Sequence, residues 1–167
     1  MAAVAAVLRN LDEPEILLIK RAEHPLDPWS GHIAFPGGRQ DPDDTDSLAT
    51  AMRETREEVG IDLREHGRHL GPLDEVQANW RSQGIDLVIV PHVFVLEAVV
   101  EPRPDPKEVD LAMWAPLRPM LLGEARTTHA HRHEGEELRF PAWQVGPHVV
   151  WGLTHRMLES LFGRIRP

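Results

Sequence analysis

Glu54, Glu57 and Glu58 stand at i, i+3 and i+4 in the run AMRETREEVGI, a spacing that gathers three carboxylates on one side of an α-helix. Like charges so placed repel one another and ask for positive charge nearby. Arg53 and Arg56 supply part of it. A hard divalent cation, Mg²⁺ or Mn²⁺, supplies more, because it takes oxygen ligands and commonly bridges protein carboxylates to substrate phosphates. The carboxylates also fall in the last turns, where the negative end of the helix favours a cation. Leu48, Met52, Thr55 and Val59 recur on the other, narrow face. That face is expected to pack, with the carboxylates pointing away from it.

The helix must be delivered and ended. Pro36-Gly37-Gly38 leads in, and consecutive glycines allow close approaches that suit a loop whose carbonyls or amides touch a ligand. Asp41, Asp43, Asp44 and Asp46 follow, where acidic side chains favour a helix start, and Thr45 or Asp46 can act as N-cap. Gly60 stands where a helix-ending glycine is expected.

Residues 2–9 and 15–21 are apolar segments separated by NLDEPE and read as neighbouring strands. HIAF is a short strand before the glycine pair. Segments 70–78 and 85–99 read as strands, the second apolar on both faces like a buried central strand, with Pro91 implying a bulge or break. The proline-rich EPRPDPKEVD is the segment best suited to mobility. LAMWAPL is a strand and PMLLGE a short helix. RTTHAHRH places His129, His131 and His133 on one strand face, and ELRFPAW returns as its hairpin partner. Three ligands on one straight strand splay apart, so this row is read as a strand surface rather than a metal site. Leu153, Met157, Leu158, Leu161 and Phe162 have helical spacing and form the core face of a C-terminal helix.

The 167 residues suit one domain over 1–167 with a substantial core. The formal charge of −9 argues against broad affinity for nucleic acid, while a small anionic substrate is compatible once a metal screens the charge. Without cysteine there are no disulfides, thiolate metal sites or cysteine nucleophiles. The opening MAAVAAVLRN has too short an apolar run for a membrane span and no basic region ahead of it, so a soluble, cytoplasmic protein is expected.

From Gly38 to Ile61 the sequence resembles the Nudix hydrolase family, whose box runs Gly, five residues, Glu, seven residues, then Arg-Glu-apolar-x-Glu-Glu-x-Gly-apolar. Arg53-Glu54-Thr55-Arg56-Glu57-Glu58-Val59-Gly60-Ile61 matches its latter part, with Thr55 in the apolar slot. Asp44 stands in place of the first Glu and eight residues separate it from Arg53, which resembles the variant box of the coenzyme A pyrophosphatase branch. Leu17-Leu18, Arg21, Gly31 and Phe35-Pro36-Gly37-Gly38 resemble that branch's upstream signature, though its second arginine is absent. Val150-Trp151-Gly152-Leu153-Thr154 resembles its C-terminal helix start.

The resemblance implies an α/β fold, an α/β/α sandwich around a mixed sheet, and Mg²⁺- or Mn²⁺-dependent hydrolysis of a nucleoside diphosphate derivative such as coenzyme A or an acyl-CoA. Hydrolysis of ADP-ribose, dinucleotides or nucleoside diphosphate sugars is the alternative, and a catalytically silent binding module a third. Glu54, Glu57 and Glu58 are the implied metal ligands, with the Gly38 carbonyl as a further one, and Arg53 orients Glu57. The general base stays open among Glu57, Glu58, Glu108, Glu134, Glu136 and Glu137. Arg21 and Arg39 are candidates for substrate phosphates, and Trp29, Trp80 or Trp143 for stacking on a base. The expected partner is a small nucleotide, not nucleic acid or a membrane, and the chain is compatible with a homodimer.

Overall fold

The structure is a computed structural model that describes residues 1–27, 29–80, 85–133 and 135–165; the side chains of Asn79, Trp80, Ile85 and His133 lie outside the description, as does Glu134. β1 (Ala2–Arg9) shows how the layers arise. Its Ala3, Ala5 and Val7 are buried with Ala51 and Val59 of helix α1 (Ser47–Val59), whereas Ala2, Ala6 and Leu8 are buried with Met157, Leu158, Leu161 and Phe162 of helix α4 (Gly152–Ile165). β2 (Glu15–Arg21) alternates the same way, with Leu17 and Ile19 towards α1 and Ile16 and Leu18 towards α4. A strand whose side chains alternate between two apolar clusters must be covered on both faces, and each valine, leucine or isoleucine so buried is worth about 1.5–3 kcal/mol. The result is an α/β/α sandwich.

The main sheet is mixed. β1 runs parallel to β7 (Ile85–Leu96) and antiparallel to β2, β3 (Ile33–Ala34) extends the order beyond β2, and β4 (Gly37–Arg39) pairs β1 from Ala2↔Arg39 to Val4↔Gly37. The segment expected as one strand over 70–78 is two, β5 (Gly67–Pro72) and β6 (Val76–Trp80), which pair successive stretches of β7. Pro91 breaks nothing. It sits at the changeover between these partners, where its carbonyl accepts the Leu73 N–H at 2.8 Å, so its own missing N–H faces a turn rather than a ladder.

β8 (Val109–Pro116) pairs β2, and α3 (Arg118–Leu121) follows. β9 (Arg126–His133), β10 (Glu136–Val145) and β11 (His148–Trp151) form the expected hairpin plus one strand on the α4 side. The short helix α2 (Leu63–His66) links α1 to β5. Among the described residues no helix is long and apolar enough to cross a membrane.

Candidate active site

Helix α1 is set by its ends. Asp46 is its N-cap, accepting the Ala49 N–H at 2.7 Å, and Gly60 closes it in the left-handed region at φ 69° with its N–H on the Arg56 carbonyl. Thr55 fits the buried face because its hydroxyl donates to the Ala51 carbonyl at 2.7 Å and leaves only its methyl to pack.

One expectation fails here. Glu58 does not point away from the packed side but is 2% exposed, because the glycine loop closes over the C-terminal half of the helix. Its Oε2 accepts the Gly37 N–H at 2.8 Å, and its Oε1 lies 3.9 Å from Arg21 Nη1. The two glycines are what allow this closure. A Cβ on Gly37 would meet the Ala3 carbonyl oxygen at 2.4 Å, and one on Gly38 would meet the Glu54 carboxyl at 2.5 Å.

The loop between β7 and β8 supplies the third carboxylate. Sequence reading gave this segment mobility, yet it is tied to the end of α1: the Arg103 N–H donates to the Val59 carbonyl at 2.7 Å and the Asp105 N–H to the Glu58 carbonyl at 2.9 Å. Those are carbonyls that a helix end leaves without partners, so the loop acts as its cap. Glu108 follows, its own carbonyl accepting the Ala22 N–H at 2.9 Å, and one oxygen each from Glu54, Glu58 and Glu108 lie within 4.8 Å of one another.

Glu57 is not in that group. It is half exposed and held by Arg53 Nη1 at 2.8 Å. The same nitrogen lies 2.9 Å from Glu54, Arg53 Nη2 donates to the Arg39 carbonyl at 3.1 Å, and Nε and Nη2 both bind Asp44. Arg53 thus organises the carboxylates and the glycine loop together. Burial pushes the Glu54 carboxyl up, an effect that Arg53 opposes, and pushes Glu58 up to about 8 against the Gly37 N–H and Arg21.

A cavity of about 480 Å³ opens beside this cluster, lined by Gly37, Gly38, Glu54, Glu58 and Glu108. Arg21 and Arg39 line it too. Arg21 is gripped by Asp27 through Nε at 2.9 Å and Nη2 at 2.8 Å, while Arg39 is exposed and has no ion pair among the described residues. Asp27 escaped sequence reasoning because it lies six residues away in an irregular loop.

Of the tryptophans, Trp29 lines the cavity, whereas Trp143 is core, stacked on His155 and edge-on to Phe162. The Trp80 side chain falls outside the described residues. Trp151, not singled out as a base platform, lines the cavity as well. His129 and His131 lie on one strand face as expected, and their rings pack on Trp151 at 4.2 and 5.2 Å.

Three carboxylates whose oxygens lie this close together, Glu58 buried, Glu54 partly buried and Glu108 exposed, form an all-oxygen donor set that suits a hard divalent cation. Glu54, Glu58 and Glu108 are the residues that could hold it. Residues 1–136 match the NUDIX domain family. An uncharacterized protein of Schizosaccharomyces pombe is 44% identical over 117 residues, 68% of this chain and 35% of that protein, so the chain spans about a third of that relative's length. The mitochondrial coenzyme A diphosphatase of mouse is 32% identical over 172 residues, covering 99% of this chain and 79% of the mouse protein. In fold, the chain is similar to a MutT NUDIX hydrolase from Burkholderia pseudomallei, with a TM-score of 0.62 and 24% identity over 96% of this chain and 95% of that one. This chain therefore belongs to the NUDIX family and is a Nudix hydrolase.

Proposed function

We propose that the chain hydrolyses the pyrophosphate bond of a nucleoside diphosphate derivative, with coenzyme A or an acyl-CoA as the substrate class, using Mg²⁺ or Mn²⁺. The observation that carries this is the convergence of Glu54, Glu58 and Glu108 beneath the glycine loop, at a cavity that also presents Arg21 and Arg39. Glu54, Glu58 and Glu108 would hold the cation, with the Gly38 carbonyl as a further oxygen. When bound, the cation neutralises phosphate charge and makes a coordinated water acidic enough to supply a nucleophile near neutral pH. Arg39 and Arg21 take phosphate oxygens, Asp27 fixing the plane of the Arg21 guanidinium. Arg53 holds Glu54 and Glu57 in place and joins them to Asp44.

Coenzyme A is favoured because the relatives covering nearly the whole chain include coenzyme A diphosphatases of mouse and human, and because the cavity has room beyond the carboxylates. The purified protein with Mn²⁺ should convert coenzyme A and water to 3′,5′-ADP and 4′-phosphopantetheine, followed by chromatography. ADP-ribose, dinucleotides and nucleoside diphosphate sugars are run beside it. Faster cleavage of one of these moves the substrate assignment, and no turnover of any of them with either metal overturns the reaction.

A further inference from the structure

Helix α1 is joined to β7 by a buried histidine that the pyrophosphate chemistry does not use. His92 is 5% exposed and lies opposite Ala5 of β1. Both of its ring nitrogens are engaged. Nε2 is 2.9 Å from the Oγ of Ser47, the first residue of α1, and Nδ1 is 3.1 Å from Nε2 of His69 on β5. His69 is exposed, so the three side chains form a hydrogen-bonded line from the start of α1 out to solvent.

The backbone aims this line at both ends. β5 carries a bulge between His69 and Gly71, with Gly71 at φ 131°, a conformation that favours glycine. A bulge re-aims the side chains beside it, and here the His69 ring lies 5.1 Å from Phe94 and 5.2 Å from His92. At the other end Ser47 follows the capping Asp46, so a bond to its hydroxyl holds the first turn, where N–H groups lack partners within the helix.

The number of protons decides whether the line holds. Neutral His92 has one N–H and one lone pair, and a hydroxyl and a neutral imidazole can each give or take a hydrogen bond, so donation in either direction satisfies all three groups. One added proton is accommodated on exposed His69, whose Nε2–H then donates to His92. A second proton puts His92 Nδ1–H and His69 Nε2–H face to face across 3.1 Å with no acceptor between them. The two rings must then part.

Burial lowers the pKa of both histidines. Asp46 and His69 are the charged or titratable groups that act on His92 among the described residues, Asp46 favouring its protonation and His69 opposing it. β1 faces it with Ala3, Ala5 and Val7, which do not titrate. Folded values below the unfolded 6.5 give stability that is full above pH 6.5 and is lost as pH falls below it.

We propose that His69, His92 and Ser47 form a proton-sensitive latch on α1, which holds the start of the helix at neutral pH and releases it when the histidine pair takes up its second proton. Glu54 and Glu58 lie on the same helix, so release loosens the carboxylate site and acid lowers activity through positioning residues that touch neither substrate nor cation. That consequence rests on the pyrophosphatase reading, whereas the latch itself does not.

Amide hydrogen exchange of the full chain in EDTA reads the latch without turnover. Between pH 7.5 and 5.0 the protection of amides 49–53, corrected for intrinsic exchange, should fall about tenfold or more in the wild type, as the loss of a buried hydrogen bond implies. His69→Gln is the decisive variant, because residue 69 is exposed and a glutamine carbonyl still accepts from a protonated His92. Its protection should fall less than about twofold over the same range. Ser47→Ala should exchange faster than wild type already at pH 7.5. A fall as large in His69→Gln as in the wild type, or none in the wild type, overturns the latch. The acid limb of kcat/KM should also move to lower pH in His69→Gln, and coincident limbs overturn the coupling to the site. The exchange difference in a protein that cleaves none of the substrates upholds the latch and overturns the reaction alone, so the two failures are told apart.

Discussion

Arg53 binds Asp44, nine residues earlier in the chain, through both Nε at 3.0 Å and Nη2 at 2.9 Å. This fork joins the aspartate-rich turn to the helix that carries the carboxylates, and the remaining nitrogen reaches Glu54 and Glu57. One guanidinium therefore fixes both ends of the segment between the glycine loop and the site.

Asp44→Asn should lower both stability and turnover. The Arg53 guanidinium holds the Asp44 carboxyl well below the usual carboxylate range. A depressed folded pKa gives stability that is present above the unfolded value of 3.8 and is lost as pH falls below it. The expected cost is about 1–3 kcal/mol at neutral pH, discounted because Arg53 is partly exposed. Urea unfolding at pH 7 and near pH 3 checks this, since the gap between wild type and variant should narrow in acid.

As a ligand of the proposed cation, Glu58 should link pH to metal binding. Its folded pKa is raised from 4.5 to about 8 by burial, so its contribution to stability is fully present below about 4.5 and is lost as pH rises through 8. A cation binds the ionised form, so Mg²⁺ should restore what alkaline pH removes. Melting in EDTA should show lower stability at pH 8.5 than at pH 6, and the rise in Tm on adding Mg²⁺ should be larger at pH 8.5. An equal rise at both values would separate Glu58 from the cation.

Much of this site was readable in the sequence, and what was missed has a physical cause. The layers follow from period-two alternation in β1 and β2, and the helix from its cap, its apolar spacing and Gly60, all local signals. The inward turn of Glu58 is set by β4 lying over the helix, a contact between segments 21 residues apart that helical periodicity alone does not show. Glu108 was one of several eligible acids, and only the hydrogen bonds from 103 and 105 to the end of α1 select it. Trp151 sits at a junction between strand and helix, where neither period assigns a side chain a face.

Glu57→Gln and Glu58→Gln should separate, although the two residues are adjacent. Losing an outer partner of a metal site typically costs about 10–100-fold, so loss of Glu58, a ligand in the proposed site, should exceed about 100-fold in kcat/KM while Glu57→Gln stays within about 10–100-fold. In EDTA Glu58→Gln should be at least as stable as wild type at pH 8.5, because it removes a buried charge and its amide oxygen can still accept the Gly37 N–H. Steady-state rates across Mn²⁺ concentrations, with melting curves, measure both effects.

Gly38→Ala tests the contact between loop and carboxylate. The added Cβ would stand 2.5 Å from the Glu54 carboxyl, closer than any real contact, so the carboxylate must move. Stability should change little beyond about 1–3 kcal/mol, the usual cost of overpacking, whereas the Mn²⁺ concentration for half-maximal rate should rise. An unchanged metal dependence would show that Glu54 does not bind the ion in the position seen here.

The acids outside the helix can be ranked by one further set of variants. Glu108 has an oxygen within 4.8 Å of oxygens of Glu54 and Glu58, while Glu136 and Glu137 are exposed on β10, Glu137 in an ion pair with Arg139 at 3.4 Å. Glu108→Gln should cut kcat/KM by about 100-fold or more and weaken Mn²⁺ binding, and Glu136→Gln and Glu137→Gln should leave both near wild type. The metal titration matters as much as the rate, because a residue that only moved a proton would lower kcat without shifting the Mn²⁺ dependence. A large loss in Glu136→Gln or Glu137→Gln would mean that the β9–β10 hairpin bends over the cavity during turnover.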